Sequence, residues 1–454
     1  MHVCDRSAEF YGALGENELK VAFHSAPYFA FNKEDERRLA QKELGNIPCI
    51  ELVTYFLNKL HVSPIPHISA DSTIQIINLV NSLPNLIHLF DRTIHASLGT
   101  GDRVFLAVRL CLAMFEYFNE NPVDLVLFGI VPHHPWDFLF FKICQLCGAK
   151  VFFCICYPFT GRGCFIFNSN YQVVQPGDEV GTSELSNVLC INVLKRLYTS
   201  MGCTPKGYIA ATSVMQRLYG GSVKAETFGL EFIKNECHEL GRIEWERISE
   251  YVVFGLHYEP ELATNPLGGN FWDQRLAILA LRESLPESTL LVLKEHPYWQ
   301  DVPHDEYEKH RGSNFFSSLE SLLPVAYVGY QHKISSYLNT CLAVATISGT
   351  VPVECLAMGV PSIIMGITPY KGLAGTIPFG PNVYEMIHEA VKIIGKTPPI
   401  ELLRPLFSNV WHFLPYGSSS EIISMDLSTC PNNSNVMAAS ISSIARGEYR
   451  IQAV

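Results

Sequence analysis

Long apolar runs are missing from this sequence. No stretch reaches the ~18 uninterrupted apolar residues of a membrane span. Residues 1–9 carry charges and no apolar core, so no signal peptide is visible. An excess of basic residues is also missing: 33 Lys and Arg stand against 44 Asp and Glu, a net charge of −11. That argues against a general nucleic-acid binder, which needs a basic surface. It leaves room for a small anionic ligand, because local lysines and helix ends decide that. There is no aspartate-rich metal motif. Cys144-Gln145-Leu146-Cys147 has the spacing of a metal or redox pair, but no second such pair accompanies it and it falls in a helix-like segment. Cys154 and Cys156 alternate on an apolar strand. Without a secretion signal, the 14 cysteines read as reduced cytosolic thiols, packed as small hydrophobes. Internal repeats and low-complexity tracts are absent.

What is present is apolar and periodic. The 454 residues, 48% hydrophobic and 17% charged, have room for two or three domains with large buried sheets. The second half alternates cleanly. Strands are expected at 251–256, 290–293, 325–328, 342–347 and 362–365. Helices are expected at 273–284, 305–309, 315–323, 333–339, 352–358 and 382–394. Such alternation means a parallel, doubly wound sheet. The first half is less regular. It offers strands at 19–23, 123–128 and 151–156, and helices at 33–43, 50–60, 72–80, 104–118, 138–147, 183–201 and 225–246. Over 157–170 a mobile basic loop around Arg162 is expected, with a carboxylate or phosphate met by the arginine as the alternative. The boundary between the halves is placed at 248.

Two phrases stand at strand ends in the second half, where an open α/β sheet binds ligands. One is Lys294-Glu295-His296-Pro297. Its proline stops the strand and biases His296 to an extended backbone, so Lys294 and His296 can both point over the sheet edge towards an anion. Alone, His296 would be an ordinary loop histidine. The other phrase runs from Ala345 through Thr346, Ile347, Ser348, Gly349, Thr350, Val351, Pro352 and Val353 to Glu354. Proline suits a first helical turn, and free N–H groups at such an end favour a phosphate. Glu354, one turn along, has the reach to accept hydrogen bonds from a ribose diol. The plain alternative makes Ser348 or Thr350 an N-cap and Glu354 a solvated first-turn acid. His296 and Ser348 are expected on neighbouring strand ends. In the first half, His133-His134-Pro135-Trp136-Asp137 follows the 123–128 strand inside a βαβ unit. Its composition suits a sugar-binding or acid–base site; alternatively Asp137 caps the helix and the histidines are loop residues. Zinc is disfavoured, since adjacent histidines rarely reach one metal and no third ligand is near.

These motifs occur in order: Phe254-Gly255-Leu256-His257-Tyr258-Glu259-Pro260-Glu261, Asn265-Pro266-Leu267-Gly268-Gly269, Asp273-Gln274, Lys294-Glu295-His296-Pro297, and Ile347-Ser348-Gly349-Thr350 with Glu354. As a set they resemble bacterial capsule and surface-polysaccharide biosynthesis proteins, which are similar to the Kdo-transferase group of GT-B glycosyltransferases. The resemblance covers about the C-terminal half. It implies a GT-B-like α/β fold, two Rossmann-like doubly wound domains facing a central cleft. The acceptor-side domain would span 1–248 and the nucleotide-sugar-binding domain 249–425. A tail over 426–454 would carry a helix at 436–445 that packs back on the first domain.

The resemblance also implies an activated-sugar donor, with a CMP-linked ulosonic acid such as Kdo favoured, and a glycan or glycolipid acceptor. The similar enzymes use an analogous His-Pro and a Ser/Thr-rich helix start to hold CMP. That carries over to His296, Pro297, Ser348 and Thr350; Lys294, Thr346, Gly349 and Glu354 join them on the reading of the residues. No cofactor beyond the nucleotide-sugar co-substrate is expected. No metal is expected either, since a helix dipole and cationic side chains can stabilise the leaving phosphate. Sugar transfer needs a carboxylate, as base or as nucleophile. The candidates are Asp137, Glu259 and Glu261, with His257 as a further acid or base; a loop salt bridge is the alternative for Glu261. The first half has no glycine-rich acceptor-side loop that aligns. Two rival functions follow: a nucleotide-sugar epimerase or hydrolase on the same fold, and a non-catalytic glycan-assembly protein. The expected location is the cytoplasm, with peripheral attachment to the inner membrane face left open.

Overall fold

The computed structural model describes residues 2–4, 22–23, 68–92, 98–120, 122, 125–128, 131–155, 163–175, 190, 193–194, 197, 230–231, 233–240, 243–259, 261–303, 307–308, 311–322, 324–338, 340–412, 444 and 449–451. The helices expected at 33–43 and 50–60, most of those at 183–201 and 436–445, and Arg162 lie outside the described residues. Contacts divide the chain into two units. One comprises residues 1–181 and 409–452, the other 182–408 and 453–454. Both are α/β units built round parallel strands, the architecture expected of a GT-B-like chain.

The first unit opens with β1 (His2–Cys4) and β2 (Ala22–Phe23). Helices α1 (Ala70–Asn81), α2 (Leu86–Leu89) and α3 (Thr100–Glu120) follow. Ser69 caps α1 by accepting the Ser72 N–H at 3.1 Å. Then come β3 (Leu125–Phe128), α4 (Pro135–Leu146) and β4 (Lys150–Ile155), which form the expected βαβ unit with β3 and β4 parallel. β1 lies between β2 and β3, parallel to both. It is too short, and too poor in apolar residues, to announce itself in the sequence. Residues 157–170 are not all loop, contrary to expectation. β5 (Gly163–Asn168) runs antiparallel to β4, and β6 (Val173–Gln175) antiparallel to β5. The apolar Phe165-Ile166-Phe167 run drives this: all three are fully buried, and the Phe153 and Phe167 rings stack at 5.9 Å.

The second unit carries the regular sheet. Its strands are β7 (His238–Glu239), β8 (Glu250–Gly255), β9 (Thr289–Lys294), β10 (Val325–Val328), β11 (Ala343–Thr346), β12 (Ser362–Ile364) and β13 (Thr376–Pro378). Their order is 13-12-11-8-9-10-7. β8 to β13 are parallel and β7 is antiparallel on β10. The helices are α5 (Gln274–Glu283), α6 (Gly312–Ser317), α7 (Val351–Met358), α8 (Val383–Ile394) and α9 (Pro399–Phe407). All six residues of β9 are buried, which is why its middle, Leu290 to Leu293, reads as one continuous apolar run. Asp273 caps α5 by accepting the Arg275 N–H at 2.9 Å.

Three expected helices come out differently. Over 225–246, helical residues stop at 236; His238–Glu239 instead pairs with Tyr327 and Ala326 at the sheet edge. Ile233 is fully buried in the core of the second sheet, so this stretch before residue 248 packs with the second unit. The helix at 333–339 shrinks to a 3-10 turn, Ile334–Ser336. The helix at 315–323 is α6, which starts and ends earlier. After α9 the chain returns to the first unit. β14 (Trp411–His412) runs antiparallel to β5, and β15 (Arg450–Ile451) antiparallel to β6. No helix among the described residues is long and apolar enough to cross a membrane.

Candidate nucleotide-binding edge

In the second sheet the chain winds outward from β8 through β9 to β10, then crosses back to β11 on the other side of β8 and winds on through β12 and β13. The winding therefore reverses between β8 and β11. In open α/β sheets the carboxyl ends of the strands at such a reversal form the ligand-binding crevice. His296 follows β9 and Ser348 follows β11, but these strands are not neighbours as expected. β8 lies between them, and its continuation brings His257 to the reversal.

His257 is buried. The Ile347 N–H donates to its Nε2 at 3.2 Å, and Thr346 Oγ1 lies 3.1 Å from the same nitrogen. A nitrogen that accepts a backbone N–H carries no hydrogen, so the ring is the Nδ1–H tautomer. The Thr346 hydroxyl donates to Nε2 and accepts the Gly349 N–H at 3.1 Å. Gln274 holds the His257 backbone from both sides, with Oε1 2.7 Å from its nitrogen and Nε2 3.0 Å from its oxygen. Burial, then the neighbouring His296 and Arg311, push the His257 pKa down to about 3. The ring thus works as a neutral pin between β8 and the loop after β11. Gly349 has to be glycine for this contact: a Cβ there would lie 2.9 Å from both His257 Cε1 and Thr346 Oγ1.

At the end of β9, Lys294 does not reach over the edge. It is 3% exposed, and its ammonium donates to the Glu295 carbonyl at 2.6 Å. Burial lowers its pKa to about 8. His296 does face the edge. Its Nδ1 accepts the Tyr298 N–H at 3.3 Å and caps the 3-10 turn Pro297–Asp301. Its hydrogen is therefore on Nε2, which has no partner among the described residues. Burial, then Lys294 and Arg311, lower its pKa to about 4. His296 is a neutral donor.

Arg311 was not evident in the sequence. It is fully buried and forked onto Glu295, with Nε to Oε2 and Nη2 to Oε1 both 3.0 Å. It also donates to the His257 carbonyl at 2.6 Å and to Glu259 Oε2 at 3.2 Å. Burial opposes its charge, but Glu295 and Glu259 outweigh it and hold the pKa above its usual value. A lone arginine in an irregular stretch gives no local signal, and its partners lie 16 to 54 residues away.

The start of α7 is the third part. Ser348 is buried, and its hydroxyl donates to the Ala263 carbonyl at 2.7 Å. Thr350 is exposed and occupies the N-cap position without a side-chain capping bond. The Ile347 and Gly349 N–H groups are engaged as described, whereas those of Ser348, Thr350 and Val351 have no partner among the described residues. Glu354 is half-buried on the first turn, and burial raises its pKa.

The carboxylates separate clearly. Glu259 is half-buried beside Arg311. Burial raises its pKa against the opposing pull of Arg311 and Gln274. Glu261 is exposed, and its carbonyl starts the turn that receives the N–H groups of Thr264 and Asn265. Asp137 belongs to the first unit, on the first turn of α4, which follows His133 and His134, whose ring centroids are 4.2 Å apart. Among the described residues no group of three or more His, Cys, Asp and Glu side chains could hold a metal ion.

No protein-family model matches this chain, and no curated protein matches it. Solved structures that align with it include Methanocaldococcus jannaschii UDP-GlcNAc 2-epimerase in complex with UDP-GlcNAc and UDP. The identity is 11%, the TM-score 0.26, and the coverage 98% of this chain and 100% of that one. UDP-GlcNAc 2-epimerase from Neisseria meningitidis bound to UDP-GlcNAc aligns at 11% identity and TM-score 0.25, over 89% and 97% of the two chains. MurG from Acinetobacter baumannii aligns at 10% and 0.18, over 90% and 93%. Likenesses at this level carry no argument about what this chain binds or does.

Proposed function

We propose that the second unit binds the nucleotide of an activated sugar at the ends of β8, β9 and β11, and that the chain is a glycosyltransferase using that donor. One observation carries this reading. Where the winding reverses, a neutral His296 sits on the same sheet edge as the start of α7, and its Nε2–H and three N–H groups there have no partner among the described residues. Donors without formal charge, backed by a helix dipole, suit a phosphate. In this reading the Ser348, Thr350 and Val351 N–H groups take the phosphate, and His296 donates to the oxygen that leaves with it. Glu354 accepts from the ribose. Glu259 is preferred to Glu261 as the carboxylate, because it is half-buried beside Arg311 while Glu261 faces solvent.

As base, Glu259 takes the proton of the acceptor hydroxyl. The acceptor oxygen bonds to the anomeric carbon as the bond from that carbon to the phosphate oxygen breaks, and the nucleotide leaves with the electron pair. His257 takes no proton in this scheme, since its Nε2 is occupied. A CMP-linked ulosonic acid is the favoured donor on the sequence resemblance.

The test is a product assay with CMP-Kdo, with and without a glycolipid acceptor. Acceptor-dependent sugar transfer that Glu259→Gln abolishes and Glu261→Gln leaves intact would support the proposal. Conversion of the free nucleotide sugar without acceptor would replace it with an epimerase or hydrolase.

A further inference from the structure

We infer that Arg311 and Glu295 are positioning residues of the nucleotide edge, which together set His257, His296 and Glu259 at the ends of β8 and β9. The inference rests on the nucleotide-site reading of that edge. A guanidinium has five N–H donors in a fixed plane, and each bond it makes here ends at the edge. Nη2 holds the carbonyl of His257 and Nη1 holds the carboxylate of Glu259, both beyond β8. Nε and Nη2 fork onto Glu295, just beyond β9. Glu295 then passes the constraint on: its Oε1 accepts the His296 N–H at 2.7 Å. The backbone of His296, on which the direction of its ring depends, is therefore fixed through Glu295 to the same guanidinium that fixes His257.

Two aromatic rings lie against the fork. Phe315 lies 4.6 Å and Trp299 5.9 Å from the guanidinium carbon, and the Tyr307 hydroxyl lies 3.5 Å from Glu295 Oε2. An ion pair serving only to join two elements would not need to bond a site histidine's carbonyl, a candidate catalytic carboxylate and the other histidine's amide. Lysine keeps the charge and loses the fork, so geometry and charge can be tested apart.

The experiment titrates Arg311→Lys, Glu295→Gln and His296→Ala with CMP by calorimetry at 10 °C. Histidine ring and amide 15N–1H spectra of the same samples report folding and tautomers. Arg311→Lys is expected to weaken CMP at least about tenfold, the effect of misplaced rather than missing groups. Its His257 ring should change from one Nδ1–H tautomer to a mixture. Glu295→Gln, which still accepts at one oxygen, is expected to weaken CMP about threefold and to shift the His296 amide signal. A folded Arg311→Lys that binds CMP within twofold of the wild type, with unchanged histidine signals, overturns the inference. Should Arg311→Lys fail to fold, Glu295→Gln decides: unchanged affinity with an unchanged His296 amide overturns it. Loss of CMP binding in His296→Ala alone leaves the nucleotide reading standing while this inference falls. Unchanged binding in His296→Ala removes both.

Discussion

His257 and His296 show how one residue type serves two purposes at one sheet edge. Both are neutral at pH 7, but His257 uses Nε2 to accept a backbone N–H, whereas His296 uses Nδ1 to accept and keeps an Nε2–H that has no partner among the described residues. Their folded pKa values, about 3 and about 4, lie below the ordinary 6.5. Below 6.5 the unfolded chain binds protons that the folded chain refuses, so stability rises with pH through this window. It is fully present above about 6.5 and is lost as the pH falls towards about 4. Urea midpoints measured from pH 7 to 4.5 should fall for the wild type and fall less steeply for His257→Asn; equal slopes would contradict the lowered pKa of His257. Gly349→Ala should cost about 1–3 kcal/mol, the usual range for overpacking, because its Cβ would press on His257 and Thr346. Chemical denaturation checks this, and an unchanged midpoint would mean that the loop yields freely.

At the scale of elements, Arg282 joins the amino-terminal side of the second sheet as Arg311 joins its carboxyl side. It is 3% exposed and donates to the carbonyls of Thr289, Pro324, Leu285 and Pro286 at 2.6, 3.2, 2.7 and 2.6 Å. These lie at the starts of β9 and β10 and at the end of α5. Arg282→Leu leaves buried carbonyls without donors and should cost about 3–5 kcal/mol in an equilibrium urea titration. A loss under 1 kcal/mol would show that water replaces the guanidinium. Elements of this sheet were legible because their burial is continuous: the middles of β8 and β9 and most of β11 are apolar and end at polar phrases. β7 was not legible, since His238–Glu239 is two exposed residues whose strand character comes only from pairing with β10. β5 was obscured by Gly161 and Arg162 before it and Gly163 at its start. His296, Ser348 and Thr350 could be read from spacing after a strand. Arg311 and Glu295 could not be read as a pair, because a bond across 16 residues leaves no periodic trace.

For the whole molecule, the return of the chain end to the first unit has its own consequence. Tyr449 packs edge-on against Phe152 at 5.6 Å, and Arg450–Ile451 pairs with β6. Deleting residues 449–454 should remove hydrogen-exchange protection from β6 and leave β8, β9 and β11 as protected as before. Loss of protection throughout the second sheet would contradict the division into two units. The second unit is proposed to hold a nucleotide at the edge built by His257, His296 and the start of α7. Calorimetric titration of the intact chain with CMP, UDP, GDP and ADP, repeated with His296→Ala, tests it most directly. One of the four nucleotides is expected to bind, and His296→Ala is expected to lose that binding, because the neutral ring donates through Nε2. Binding that His296→Ala leaves unchanged, or no binding by any of the four, would contradict it.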